Sequence, residues 1–216
     1  MINASQIKDS SKIFNTLKII SSLKSLKTDS GSSPIISRKK YLEFIKKTLK
    51  IGRAEIHKQF ENGSGGREVV VAQTYLIDQI IHLICKILSP KPSRIKETFD
   101  DLGLSIIAVG GYGRGELAPF SDIDLVFLIS DYKQRKCKEF IRDILYFLWD
   151  LDLKVGHATR TIKESIKKAK EDIIIRTSLL ESRMILGDES LYQKFLKKFD
   201  TNAVSYTHLT LPTSDL

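Results

Sequence analysis

The stretch VGGYGRGELAPFSDIDLVFL, residues 109–128, places four glycines, an arginine and two aspartates within twenty residues. It joins two short apolar runs, 104–109 and 123–129, which have the length and bounding residues of buried strands. The glycines are therefore predicted to form a turn between two strands. Asp122 and Asp124 then lie where the second strand begins, in a run that is otherwise apolar.

Two common phosphate-binding motifs do not fit this stretch. Counted from Gly111, a dinucleotide-binding fingerprint needs its third glycine where the chain has Glu116. A Walker A loop needs a lysine after its second glycine, and no lysine occurs between Asp101 and Lys133. The glycines must therefore serve another kind of site.

The residue types in the stretch suit a bound nucleotide and a metal ion. Glycines let the backbone approach a ligand closely, and Arg114 offers a planar fork for phosphate. Asp122 and Asp124 are two residues apart, so on a strand both side chains point to the same face. Because a carboxylate in an apolar strand costs free energy unless it is paired, a divalent cation is the predicted partner. Mg²⁺ commonly binds one or two carboxylates together with substrate phosphates.

Several motifs in this region resemble those of known enzymes. Gly110-Gly111 followed by Ser121-Asp122-Ile123-Asp124 resembles the nucleotidyltransferase superfamily that includes DNA polymerase β. The longer string GGYGRGELAPFSDIDL is similar to the N-terminal domains of the bacterial PII uridylyltransferase family. The stretches LWDLDLKVGHATRT and SLLESRMILGD extend the likeness. It is specific over about 108–188 and weaker over the helices before that region.

The resemblance implies a fold, a reaction and a site. The fold is an α/β (α+β) domain, with a small mixed sheet of the nucleotidyltransferase type and helical additions at both ends. The reaction is Mg²⁺-dependent transfer of UMP from UTP to a tyrosine of the PII signal protein, with release of pyrophosphate. By this match Gly110, Gly111 and Ser121 bind the nucleotide, and Asp122 and Asp124 are the catalytic metal ligands. No nucleic acid or membrane partner is expected.

The resemblance leaves the following points open. The superfamily usually places a third carboxylate on a later strand, for which Asp150 and Asp152 are candidates. The alternative functions are adenylyl or other nucleotidyl transfer to a different acceptor, and nucleotide sensing without catalysis. The HD domain that removes UMP and the ACT domains that sense glutamine would follow residue 200, so we expect this chain to lack them.

Hydrophobic periodicity predicts mainly helices around the strands. A capping box at residues 161–164 marks the start of one helix, because a hydroxyl and a carboxylate there can satisfy each other's free backbone amides. The predicted helices are a weak one before residue 28 and others at 38–60, 68–88, 133–150, 161 onward, 173–186 and 189–199, with a third strand at 153–161.

The predicted division of the chain follows its changes in composition. Residues 1–37 form an N-terminal segment with a Ser/Gly/Pro linker, and 38–100 a helical lead-in. Residues 101–200 form the nucleotidyltransferase domain with its C-terminal helices. Residues 201–216 are predicted to be a non-native tail, because the segment abandons the Lys-rich composition and resembles a translated sequencing adaptor.

Composition narrows the class of protein. With 42% hydrophobic and 28% charged residues, the 216-residue chain has the balance of a globular domain. Its net charge of +9 is spread over lysine-rich helix faces without interleaved aromatic residues, so nucleic-acid binding is not favoured. No apolar run of membrane-spanning length and no secretory signal is predicted. Cys85 and Cys137 are expected to be buried thiols, which favours a cytoplasmic location.

Overall fold

The protein consists of a four-stranded sheet surrounded by helices. The computed structural model describes residues 7–28, 34–90, 92–130 and 134–201. A 3₁₀ turn at Pro92–Arg94 precedes the fifth helix. The helices and strands are α1 (Ser10–Ile13), α2 (Thr16–Thr28), α3 (Pro34–Glu61), α4 (Gly66–Leu88), α5 (Ile95–Leu102), β1 (Leu104–Ala108), α6 (Gly110–Gly113), β2 (Ile123–Ile129), α7 (Gln134–Asp150), β3 (Val155–Thr161), α8 (Ile162–Glu171), α9 (Ile173–Leu180), β4 (Arg183–Gly187) and α10 (Glu189–Phe199).

The sheet is mixed, as predicted, with the strand order β3-β2-β1-β4. β1 is antiparallel to both β2 and β4, whereas β2 and β3 are parallel. The parallel pair aligns Asp124 with Gly156. This register brings the start of β2, where the acidic pair lies, next to the start of β3.

Helices cover the two faces of the sheet in separate layers. Ile123, Leu125 and Phe127 point into a large cluster that also contains the buried faces of α3, α4, α5 and α7. Val126 and Leu128 point to the opposite face, which packs against α8, α9 and α10. Because side chains alternate along a strand, Asp124 belongs to this second face. The helices thus leave the acidic residue at the edge of the smaller layer.

The central helix α4 is strongly apolar. By length and composition it could cross a membrane, although no apolar run of that length was expected. Twelve of its residues are buried inside the fold, and the core helix of a soluble protein passes the same test. Its apolar character is therefore accounted for by the packing of α3, α7 and the sheet around it.

The largest error in the predicted elements concerns residues 173–186, which were expected to form one helix. The helix α9 ends at Leu180, and Arg183–Gly187 instead forms the edge strand β4. A short apolar run such as Met184-Ile185-Leu186 suits either state, and pairing with β1 decides between them. The predicted glycine turn was also wrong in detail, because Gly110–Gly113 forms one helical turn.

Other expectations lie partly outside the described residues. The predicted linker at 28–37 includes residues 29–33, which are not described, while α3 already begins at Pro34. The predicted tail is described only at Thr201. The division of the chain into segments remains a prediction. Cys85 and Cys137 are buried and form no disulfide with each other, as expected.

Candidate active site

The carboxylate of Asp124 lies between the backbones of two glycines. A Cβ atom built on Gly156 would overlap Asp124 Oδ1, so glycine leaves room for this carboxylate in its observed position. A Cβ atom on Gly110 would lie 3.9 Å from Asp124 Oδ2. Val109 also donates its backbone N–H to the carbonyl of Asp124 at 3.1 Å. The fold therefore brings Asp124 together with residues 109–117, which we call the glycine segment. Their role in binding phosphate and metal stays a prediction.

Asp122 lies immediately before β2 and acts electrostatically on Asp124. Partial burial raises the pKa of Asp124 above its ordinary value, and the negative charge of Asp122 raises it further. None of the ion pairs found among the described residues includes either carboxylate. Two neighbouring carboxylates outside these ion pairs provide oxygen ligands of the kind that a divalent cation binds.

Gly110 adopts the backbone conformation that only glycine takes readily. Its φ angle is +61°, in the left-handed region. This residue begins α6 and lies close to both Asp124 and Ser178, whose Oγ would be 3.9 Å from an added Cβ. A larger side chain here would be strained and would point toward the acid.

Arg114 is engaged by acidic side chains in this structure. Its guanidinium donates to Glu181 at 2.5 Å and to Glu116 at 3.3 Å. The Arg114 side chain is 48% exposed, so these surface ion pairs contribute little to stability. A phosphate would have to compete with both carboxylates for the guanidinium. The role of Arg114 in binding the nucleotide stays a prediction.

Ser121 lies on a different recess from the one beside Asp124. The recess has a volume of about 200 Å³ and is also lined by Phe120, Asp152 and Lys154. Ser121 is exposed and donates its backbone N–H to the carbonyl of Ala118 at 3.2 Å. The chain thus places Ser121 beside Asp122 in sequence without directing it into the cleft that holds Asp124.

The described residues do not supply the third carboxylate of a metal site. Within them, no group of three His, Cys, Asp or Glu residues is arranged to hold a metal ion. Asp150 accepts from Arg38 at 2.7 Å, and Asp152 from Lys46 at 3.4 Å, so both candidates are paired with cations of α3.

The next strand has no acid where it faces Asp124. The residues of β3 that share a face with Asp124 follow from the register and are Gly156, Ala158 and Arg160. On this face β3 therefore contributes two small residues and one arginine, and no third carboxylate.

A cleft opens beside Asp124, between β3 and α9. Its volume is about 310 Å³, at the lower end of the range of about 300–1,000 Å³ that is typical of small-molecule sites. Apolar side chains of α9 form one wall, and the polar lining includes Arg160 and Ser178. Sequence reasoning did not identify this cleft, because α9 approaches the sheet only in the folded chain.

A buried polar network behind the glycine segment was also missed. Asp78 of α4 accepts hydrogen bonds from the Tyr112 hydroxyl at 2.8 Å and from Arg183 at 2.7 and 3.2 Å. Burial raises the pKa of the Tyr112 hydroxyl well above its ordinary value, and the charge of Asp78 adds to that effect. The signal was present in the sequence, because Asp78, like Asp124, is an acid within an apolar run.

Comparisons with known proteins agree with this geometry. Residues 92–181 match the nucleotidyltransferase domain family. The chain is 40% identical over 172 residues to the bifunctional uridylyltransferase/uridylyl-removing enzyme of Novosphingobium aromaticivorans, which covers 79% of this chain and 19% of that protein. The protein of the same name from Azospirillum brasilense is 36% identical over 200 residues, covering 90% of this chain and 21% of the relative. The chain therefore spans about a fifth of the length of these relatives.

Proposed function

Since the chain carries a nucleotidyltransferase domain within residues 92–181, we propose that it transfers UMP from UTP to a tyrosine of a PII signal protein. The observation that carries the proposal is the position of Asp124, whose carboxylate lies between Gly110 and Gly156 and is influenced by the charge of Asp122. The names of the relatives support uridylyl transfer as the reaction.

Each part of the site has a role in this reaction. Asp122 and Asp124 would hold Mg²⁺, which neutralises and aligns phosphate oxygens when bound. The backbone of Gly110 and Gly111 permits close approach of the triphosphate. The cleft between β3 and α9 offers space for the nucleoside, with Arg160 as a hydrogen-bond donor at its edge.

The transfer is a substitution at the α-phosphorus of UTP. The tyrosine oxygen forms a bond to that phosphorus, and the bond from the phosphorus to the oxygen bridging the α- and β-phosphates breaks. Pyrophosphate leaves with the electron pair of the broken bond, and the hydroxyl proton passes to solvent. The acidic pair and the glycine backbone contribute by fixing the phosphates in line with the acceptor.

The test is a transfer assay with the 216-residue chain, PII, labelled UTP and Mg²⁺. We expect labelled PII and pyrophosphate from the unmodified chain, and a loss of about 100-fold or more in Asp122→Asn, since a metal ligand is removed. Asp143→Asn is the matched control, because that carboxylate of α7 is 45% exposed and paired with the neighbouring Arg142. Full activity in Asp122→Asn, or faster transfer from ATP than from UTP, would refute the proposal.

Nucleotide sensing without catalysis is the second candidate. It is favoured by one observation, the lack of a third carboxylate among the described residues near Asp124. Calorimetry that detects UTP binding, combined with no pyrophosphate release in the presence of PII, would support this function over transfer.

Two further properties are part of the proposal. The lysine-rich surface is not assigned to nucleic acid, and no membrane partner is invoked. A cytoplasmic location is supported by Cys85 and Cys137, which are buried thiols and not a disulfide.

A further inference from the structure

A buried ion pair joins three elements that are far apart in the sequence. The Asp78 side chain on α4 is fully buried, and that of Arg183 on β4 is 18% exposed. Arg183 donates to both oxygens of Asp78, at 2.7 and 3.2 Å, and Tyr112 of α6 donates to the same carboxylate at 2.8 Å. One carboxylate thus connects the central helix, the glycine segment and the edge strand.

The same arginine also holds the backbone of the glycine segment. Its guanidinium donates to the carbonyl of Tyr112 at 3.2 Å and to that of Gly113 at 3.3 Å. Its Cζ atom lies 5.4 Å from the centre of the Tyr112 ring. The network therefore contacts α6 through the side chain of Tyr112 and through main-chain carbonyls.

Two neighbouring contacts restrict the segment further. Thr74, one helical turn before Asp78 on α4, accepts from the backbone N–H of Leu117 at 2.9 Å. A Cβ atom on Gly113 would overlap the carbonyl oxygen of Glu181 and lie 2.9 Å from that of Ala108. The segment from Tyr112 to Leu117 is thus anchored at both ends, and Gly113 packs closely against the backbone of Ala108 and Glu181.

Stability alone is a weak reason for such a network. The cost of removing two charges from water commonly cancels their attraction, and well-packed apolar residues often replace a buried ion pair without loss. What the ion pair adds is a defined geometry, because its donors and acceptors must meet at fixed positions. Here the ion pair fixes the position of the glycine segment, in which Gly110 lies beside Asp124.

We propose that Asp78, Tyr112 and Arg183 are positioning residues that hold the Gly110–Gly113 backbone where it can contact the phosphates of the nucleotide. This inference rests on the proposed function, because it assigns phosphate binding to the same segment. Asp78 and Arg183 do not touch the nucleotide; they act through the backbone that they fix. We refer to the three side chains as the clamp.

Two substitutions weaken the clamp while keeping the size of the side chain. Asp78→Asn can still accept from Tyr112, but it loses the charge that attracts Arg183. Arg183→Lys keeps a positive charge, but a single ammonium cannot reach Asp78 and two carbonyls with the geometry of a guanidinium. Thr98→Val is the matched control, because it removes a buried hydrogen bond to Ser89, 2.8 Å long, without touching the glycine segment.

The first measurement is calorimetric binding of Mg²⁺-tripolyphosphate and Mg²⁺-UTP to the 216-residue chain, at a temperature where every variant is folded by circular dichroism. We expect both clamp variants to bind tripolyphosphate about tenfold more weakly or worse, because displaced binding groups lose affinity steeply. Thr98→Val should bind like the unmodified chain. Equal affinity in the clamp variants, or an equal loss in Thr98→Val at the same melting temperature, would overturn the inference.

Hydrogen exchange provides a readout that does not depend on nucleotide binding. The backbone N–H groups of Gly113, Arg114 and Glu116 donate within the glycine segment at 2.9–3.1 Å. In Asp78→Asn their exchange should accelerate by about tenfold relative to the amides of β1, because the segment opens locally. Unchanged exchange would overturn the clamp even if affinity fell.

The failure of the proposed function has a different signature. In that case the unmodified chain would not bind Mg²⁺-UTP, or Asp122→Asn would bind it equally well, while exchange would still report on the clamp. If Asp78→Asn or Arg183→Lys does not fold, Tyr112→Phe can replace it in the test, because this substitution removes only one hydroxyl. We expect it to give a smaller change in the same direction, and no change in either readout would count against the clamp.

Discussion

At the scale of single residues, Asp124 is defined by its glycine neighbours. Gly156 leaves space for its carboxylate, and Gly110 supplies backbone on the other side. An acid in an apolar strand is costly, and here its surroundings raise its pKa and so disfavour its charged form. The Mg²⁺ ion of the proposed function would offset that penalty.

Adding one methyl group at Gly156 should displace this carboxylate. In Gly156→Ala the new Cβ would overlap Asp124 Oδ1, so we expect Mg²⁺-UTP affinity to fall about tenfold or more while the chain stays folded. Calorimetry and circular dichroism measure the two effects. The matched control is Gly66→Ala, where an added Cβ meets no atom within 4 Å. Unchanged affinity in Gly156→Ala would mean that Asp124 is not a ligand in its observed position.

The raised pKa of Asp124 makes a prediction about pH. Because the folded chain binds this proton more readily than the unfolded chain, Asp124 favours folding most below its ordinary value of 3.8, and that contribution is lost as pH rises through the raised pKa. Asp124→Asn should therefore gain melting temperature relative to the unmodified chain between about pH 4 and pH 7, without divalent cations. A difference independent of pH would contradict this.

At the scale of elements, caps and strand pairing decide where helices end. The predicted capping box of α8 is confirmed: the Thr161 backbone N–H donates to Glu164 Oε2 at 2.8 Å, and the Glu164 N–H donates to Thr161 Oγ1 at 3.2 Å. No comparable local signal marks β4. Its pairing with β1 includes Ser105 opposite Gly187, a contact across more than 80 residues.

Removing the cap should destabilise the fold measurably. In Thr161→Ala the hydroxyl is lost and a buried helix start keeps an unsatisfied amide, so we expect the free energy of unfolding to fall by about 1 kcal/mol. Urea denaturation measures it. Thr177→Ala is the control, because that exposed hydroxyl donates to carbonyls of its own helix and its loss should cost less than about 0.5 kcal/mol. Equal effects would show that the cap is unimportant.

At the scale of the whole molecule, α4 connects the helical layer to the site. Its apolar face fills the larger core, and its buried polar side chains Thr74 and Asp78 form hydrogen bonds to the glycine segment. Stability and site geometry therefore depend on the same helix. The clamp variants test the polar contacts of α4, and a core substitution tests its apolar face.

A cavity in the α4 core should destabilise the entire domain. Ile84 is 0% exposed, so Ile84→Ala should lower the free energy of unfolding by about 2–5 kcal/mol through lost burial and an unfilled cavity. Leu17→Ala is the control, since Leu17 is 83% exposed and its truncation should change stability by less than about 0.5 kcal/mol. A single urea transition by fluorescence and circular dichroism is expected in both. A loss below about 1 kcal/mol for Ile84→Ala would contradict the central role of α4.

The sequence alone determined the features that depend on neighbouring residues. The strands β1 and β2, the helices α4 and α7, the cap of α8 and the acidic pair were all predicted from patterns within about twenty residues. Periodicity and capping act over short distances because they reflect backbone geometry and local hydrogen bonding. The resemblance added the expected chemistry, which geometry and comparisons support as far as a nucleotidyltransferase domain.

Only the tertiary structure decided which distant residues meet. Asp78 and Arg183 are 105 positions apart, and Asp124 meets Gly156 only because β2 and β3 pair in one register. A shift of a single residue in that register would turn the opposite face of β3 toward the acid. The surroundings of Asp124 and the support of the glycine segment are therefore properties of strand pairing and helix packing, which no local pattern in the chain specifies.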